Sequence, residues 1–204
     1  MENNQETSIS AIILAGGKSI RMGRDKALLS INNRPLLTHI CTVAQDFLNS
    51  VYVVTPWSAK YQDLLPPKVQ LIQENIILPN ADSNCPLIGF YQGLQHITTD
   101  WVLLLACDLP LLNSEAMKQW CEHLPDVSDA EIALLAYSDK GYEPLCGFYR
   151  RSCLPLLKTY IDNGGKSFQK FLAQHPVKEL PICDRKILFN CNTWEDWLMV
   201  NGYS

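Results

Sequence analysis

The sequence predicts a single α/β domain with a mostly parallel central sheet flanked by helices. Short, strand-sized apolar runs alternate with helical apolar stripes along the chain. The most continuously apolar run, residues 101–107 (WVLLLAC), has the character of a central strand covered on both faces. No internal repeat, low-complexity tract or long linker divides the 204 residues, a length at which one domain buries about 70% of its unfolded surface.

Residues 1–8 are polar and are expected to form a flexible N-terminus ahead of a domain spanning 9–204. Residues 9–15 (ISAIILA) read as a buried strand running into Gly16 and Gly17. Behind Asn32-Asn33, Pro35 suits the first turn of a helix, whose apolar stripe is Leu36, Leu37, Ile40, Val43, Ala44, Phe47 and Leu48. Residues 51–55 are a second strand, 61–65 a short helix stopped by Pro66-Pro67, and 69–72 a third strand. Residues 74–85 hold Pro79, Asn80, Asp82 and Asn84 without periodicity and read as a long loop. Pro86 starts a helix to about Ile97, and Asp108-Leu109-Pro110 closes the strand 101–107. Asn113 caps a helix reaching about Leu124. Residues 131–137 and 145–150 are strands, and 151–161 a helix ending near Gly164-Gly165. A short helix from Ser167 precedes a strand pair, 177–182 with 186–189. Thr193 caps a C-terminal helix, with Asp196 in the capping-box position.

Seventeen Lys and Arg against 21 Asp and Glu leave a net charge of −4. That lacks the basic excess by which nucleic-acid binders displace counterions, so no nucleic-acid partner is expected. No run approaches the ~18 apolar residues of a membrane span, and residues 1–8 lack the basic and apolar regions of a signal peptide; a cytoplasmic protein without a membrane partner is expected. The eight cysteines, at 41, 85, 107, 121, 146, 153, 183 and 191, form no Cys-x-x-Cys pair and read as reduced thiols, not as a disulfide or zinc framework.

The scarce cations gather in one place. From residue 12 the chain reads IILAGGKSIRMGRDKALL, so a strand enters Gly16-Gly17 and Lys18, Arg21, Arg24 and Lys26 follow. Glycines let backbone N–H groups approach a phosphate, and the cations supply a local field suited to a triphosphate. Neither familiar phosphate loop is present. The dinucleotide fingerprint needs Gly-x-Gly-x-x-Gly, and the P-loop needs a Gly where Ile12 or Tyr160 stands before Gly17-Lys18-Ser19 or Gly165-Lys166-Ser167. Asp108 ends the strongest strand, at the sheet edge where ligands collect, and a carboxylate there can hold Mg²⁺ against phosphate oxygens.

With those residues in view, the segment 14–29 (LAGGKSIRMGRDKALL) resembles the nucleotide loop of the nucleotidyltransferases, and its R-M-G-x-D-K form is closest to the molybdenum cofactor guanylyltransferases. The likeness continues through CPLIGFYQGL (85–94), ACDLP (106–110), EPLCGFY (143–149), GGKS (164–167) and FNCNTWED (189–196), in order along the chain. It implies a Rossmann-like nucleotidyltransferase that joins the GMP part of GTP to molybdenum-molybdopterin, releases pyrophosphate and uses Mg²⁺, with transient contact with recipient molybdoenzymes. By position, the resemblance implies that Leu14, Ala15, Gly16 and Gly17 contact the nucleotide, Lys26 its phosphates, Asp108 the metal, and Asn190 with Asn192 the pterin. Two departures stand out. Cys85 replaces a usual Gly, which would alter the turn into the next helix. The acidic guanosine-side residue, usually Asp, falls on Glu74 or on Asp82.

Nucleotidyl transfer sets an anionic phosphate oxygen against an α-phosphate, so positioning and charge neutralisation suffice. Lys26, Arg21 and Asp108 are the expected catalytic residues, with Lys18 a further candidate. Phosphate-reading chemistry does not choose a base, so cytidylyl transfer to the same pterin, or transfer to a sugar phosphate or isoprenoid precursor, stays open here; R-M-G-x-D-K and N-x-N-T favour guanylyl transfer. A non-catalytic cofactor carrier would not need Lys26 and Asp108, and a dinucleotide-dependent oxidoreductase lacks its glycine fingerprint.

Overall fold

The computed structural model describes residues 7–17, 24–31, 33–75 and 85–202. In chain order the elements are β1 (Ile9–Leu14), the two-residue strands β2 (Ser30–Ile31) and β3 (Arg34–Pro35), α1 (Leu36–Gln45), β4 (Val51–Thr55), α2 (Ser58–Tyr61) and β5 (Gln70–Gln73). There follow α3 (Pro86–Leu94), β6 (Trp101–Ala106), α4 (Ser114–Cys121), β7 (Ala133–Ser138), β8 (Gly141–Arg150), α5 (Leu154–Asp162), α6 (Phe168–Leu172), β9 (Lys178–Glu179) and α7 (Trp194–Gly202). Among the described residues, seven strands form one sheet in the order β5-β4-β1-β6-β8-β7-β9. The first four run parallel, β8 is antiparallel to both β6 and β7, and β9 is parallel to β7.

The continuous apolarity of β1 and β6 follows from cover on both faces. Ala11 and Ile13 join Leu103 and Leu105 in one core, under Leu36, Leu37 and Ile40 of α1 and Met117 of α4. Ile12 joins Val102 and Leu104 in the other, against Leu87, Phe90 and Leu94 of α3 and Leu157 of α5. Alternate side chains of an extended strand point to opposite faces, so each face receives its own apolar set. Helix α3 lies so close to the sheet that a Cβ at Gly93 would stand 2.8 Å from Val54 Cγ2 and 3.1 Å from Ile12 Cδ1.

Several boundaries differ from the sequence reading. The first helix starts one residue after Pro35, because Pro35 pairs with Ser30 in a small hairpin whose turn holds Asn33 at φ 61°, a conformation Asn tolerates. The expected strand 145–150 extends back to Gly141 and makes a hairpin with β7. The expected strand pair 177–182 with 186–189 is replaced by the two-residue β9 and a 3₁₀ turn, Arg185–Leu188. Asp184 causes that turn by accepting the Lys186 N–H at 2.9 Å, an N-cap bond that coils the backbone. At the other end of the chain Ser8 is tied to Asp100, its Oγ donating to Oδ2 at 3.0 Å; residues 1–6 of the expected flexible segment lie outside the described residues. No described helix is long and apolar enough to cross a membrane.

Candidate active site

Because β5, β4, β1 and β6 are parallel, their carboxyl ends open on one edge, and Glu74, Thr55, Ala15–Gly17 and Asp108 emerge there side by side. Backbone pairing continues past the strands: Ala15 N–H donates to Val54 O at 3.0 Å, Glu74 N–H to Thr55 O at 2.8 Å, and Cys107 N–H to Leu14 O at 3.3 Å. The buried Thr55 hydroxyl donates to Ala15 O at 2.8 Å, fixing the start of the glycine loop. Gly17 is exposed with open space around it, whereas Gly16 faces the Glu74 carboxylate.

Lys26 opens a 3₁₀ turn, Lys26–Leu28, next in the chain to Asp25. Its Nζ donates to Asp108 Oδ2 at 3.0 Å and to Asn192 Oδ1 at 2.6 Å. The cationic loop, the end of β6 and the start of α7 therefore meet at one ammonium group, most of it shielded from solvent. Asn192 is held for this contact from below. The Asp196 carboxylate accepts both the Asn192 and Thr193 N–H groups at 2.8 Å, and the Thr193 hydroxyl accepts the Asp196 N–H at 3.1 Å. That is the expected capping box, and those bonds hold the Asp196 carboxyl below its usual range. Asn190 is directed elsewhere, its Nδ2 donating to Leu188 O at 3.2 Å. The two asparagines expected on the pterin side thus have different surroundings, and only Asn192 bonds to Lys26. Arg21 and Lys18, expected beside Lys26, lie outside the described residues, as does Asp82.

Sequence reasoning passed over Asp25, which anchors the turn. Its carboxylate accepts the Ala27 N–H at 3.0 Å and the Tyr61 hydroxyl at 2.6 Å, and it pairs with Lys60. Burial, and then the bond to Asp25, push the Tyr61 phenol far up, so it remains a donor at any working pH. An Asp immediately before a short helical turn was the available signal, as an N-cap; its reach to α2 was not. Cys85, at the N-cap of α3, has extended backbone (φ −92°, ψ 106°) that any residue adopts, and its thiol donates to Lys166 O at 3.0 Å. The Gly-to-Cys departure therefore leaves the helix start intact and ties it to the 164–167 segment. There Ser167 caps α6, and α5, not a strand, precedes Gly164, so no P-loop forms.

Asp108 suits a metal that also binds phosphate. Lys26 reaches Oδ2, and no described group reaches Oδ1. Among the described residues no three His, Cys, Asp or Glu cluster to form a metal cage. One carboxylate plus substrate oxygens is how Mg²⁺ is usually held beside nucleotides. The nearby thiols are unsuited to nucleophilic work: burial pushes Cys191 up to about 11 and Cys107 higher still. All eight cysteines are free.

Residues 11–179 match the family described as the MobA-like NTP transferase domain. Over 195 residues the chain is 47% identical to a protein of a Nostoc species named "Probable molybdenum cofactor guanylyltransferase", covering 96% of this chain and 91% of that one. It is 40% identical to a protein of the same name from Synechococcus elongatus, over 93% of this chain and 96% of that one. Among solved structures, molybdopterin-guanine dinucleotide biosynthesis protein A from Archaeoglobus fulgidus superposes with a TM-score of 0.77 at 18% identity, covering 95% and 97% of the two chains; that likeness concerns the fold. This chain belongs to the MobA-like NTP transferase family.

Proposed function

We propose that this protein transfers GMP from GTP to the terminal phosphate of molybdenum-molybdopterin, forming a guanine dinucleotide and releasing pyrophosphate. The observation that carries the proposal is the meeting of Lys26, Asp108 and Asn192 between the glycine loop and α7, in a chain of this family. A pterin phosphate oxygen attacks the α-phosphorus of GTP; the new P–O bond forms as the bond to the bridging oxygen breaks, and pyrophosphate leaves in line. The attacking oxygen is already anionic, so no side chain has to take a proton from it.

Leu14, Ala15, Gly16 and Gly17 bring backbone close to the nucleotide. Lys26 neutralises charge on the departing pyrophosphate, with Arg21 as its expected companion. Asn192 and Asp108 hold that ammonium in register with the reacting phosphates. Asp108 is the residue that would hold Mg²⁺. When bound, Mg²⁺ supplies positive charge that lowers the repulsion between the two anions. Asn192 and Asn190 take the pterin side. Glu74, beside Gly16, takes the guanosine side. The chain works in the cytoplasm and meets recipient molybdoenzymes transiently.

The test is pyrophosphate release by purified protein with Mg²⁺, molybdenum-molybdopterin and each of GTP, CTP and UTP, with the dinucleotide identified by mass. GTP should be turned over at least about tenfold faster than the others, the worth of one charged hydrogen bond at the base. Equal or greater turnover with CTP would overturn guanylyl transfer.

A further inference from the structure

Helix α3 buries an apolar row, Leu87, Phe90 and Leu94, yet carries Gln92 at 6% exposure among them. A buried carboxamide has to be satisfied, and this one is satisfied by a single backbone unit. Its Oε1 accepts the Asn75 N–H at 2.8 Å and its Nε2 donates to Asn75 O at 2.9 Å. It treats Asn75 as a neighbouring strand would, two residues past the end of β5.

The residue before Asn75 is fixed as firmly. Glu74 N–H donates to Thr55 O at 2.8 Å, and Glu74 O accepts from Gln73 Nε2 at 3.2 Å. Its side chain enters a notch made by two glycines. A Cβ on Gly16 would stand 3.1 Å from Glu74 Oε2, and one on Gly89 would stand 3.5 Å away. A larger residue at Gly16 would displace the carboxylate. Among the described residues no N–H or O–H donates to it, and burial pushes its pKa up. A constrained backbone thus presents two acceptor oxygens, without donors of their own, beside the nucleotide loop.

We propose that Gln92 is a positioning residue for base selection: by clasping Asn75 it keeps the Glu74 carboxylate in the Gly16–Gly89 notch, where its two oxygens read the paired N1–H and N2 amino donors of guanine. This rests on the reading of GTP as the nucleotide donor. The chemistry is selective because one carboxylate matches two adjacent donors. Adenine and cytosine set a donor beside an acceptor, uracil sets its N–H between two carbonyls, and hypoxanthine lacks the second donor.

The experiment measures dissociation constants for GTP, ITP, CTP and UTP, each with Mg²⁺, by calorimetry on the full chain. The proteins are wild type, Gln92→Met, Gln92→Asn and Glu74→Gln, with folding verified by thermal unfolding. Methionine keeps the volume and removes both bonds; asparagine keeps the amide but is a methylene too short. Wild type should prefer GTP to ITP by roughly tenfold or more. Glu74→Gln and either folded Gln92 variant should bring that ratio to within about threefold, with GTP losing more affinity than ITP, which has only the N1–H contact to lose. A purely structural role for Gln92 would weaken both nucleotides alike and leave the ratio, and that result overturns the proposal. So does a ratio lost in Glu74→Gln but kept in the Gln92 variants. A wild type with no preference for GTP over CTP and UTP overturns the guanylyl reading itself, and this inference with it.

Discussion

Replacing Asp25 by alanine removes the group that fastens the Lys26 turn to α2. Tyr61, at 1% exposure, would keep its hydroxyl in a buried place without the 2.6 Å acceptor, a loss of about 1–3 kcal/mol. The turn would lose the N-cap bond to Ala27, about 1 kcal/mol. Lys60 is 45% exposed, so its ion pair adds at most about 1 kcal/mol, reduced further by salt. These contacts share one carboxylate and do not add in full; a net destabilisation of about 2–3 kcal/mol is expected. Tyr61→Phe removes only the hydroxyl and should cost about 1 kcal/mol. Urea unfolding of wild type, both single variants and the double variant completes the cycle, with an expected coupling of about 1–2 kcal/mol. Turnover of folded Asp25→Ala should fall by roughly tenfold or more, because Lys26 loses its fixed base. Additivity within about 0.5 kcal/mol, together with wild-type turnover in Asp25→Ala, would refute the anchoring role.

Other consequences are independent of that cycle. Lys26→Ala should lower turnover by about 10²–10³, and Lys26→Arg should recover only part, since a planar fork replaces a compact ammonium; full recovery would mean that charge alone matters. Glu74 binds its proton more tightly folded than unfolded, because burial raises its pKa. Its ionisation therefore costs stability as pH rises above the ordinary carboxylate range. Glu74→Gln should melt above wild type near pH 7, with the gap closing towards about pH 4; a gap independent of pH would contradict the assignment. Gly93→Ala places a methyl 2.8 Å from Val54 and should destabilise by about 1–3 kcal/mol in urea titration, whereas a neutral effect would mean that α3 can lift from the sheet without cost.

What could be read in the sequence was what neighbouring residues state together. The apolar run at 101–107, the glycines entering a cationic loop, and Asp108 at a strand end are local signals, and the structure brings Lys26 and Asp108 into contact. The Asn192 bond to Lys26 spans 166 residues, and nothing in either motif announces it. The same holds for Asp25 with Tyr61 and for Gln92 with Asn75, where the chemistry depends on how helices lie across the sheet. Strand direction is likewise invisible to periodicity, so β8 was legible as a strand but not as the antiparallel member beside β6. Residues 186–189 misled because Ile187, Leu188 and Phe189 have strand-like apolarity, while Asp184 coils the backbone before them.

In the proposed mechanism the ammonium of Lys26 and the carboxylate of Asp108, bonded at 3.0 Å, act as one unit on the transferred nucleotide. Single-turnover pyrophosphate release from GTP and molybdenum-molybdopterin should be measured for Lys26→Ala, Asp108→Ala and the double variant, each verified as folded. Groups that work as a unit give non-additive losses. Each single variant should fall by about 10²–10³ and the double no further than about threefold below the worse single. Losses that multiply in the double variant, or near-wild-type release by either single, would contradict that joint role.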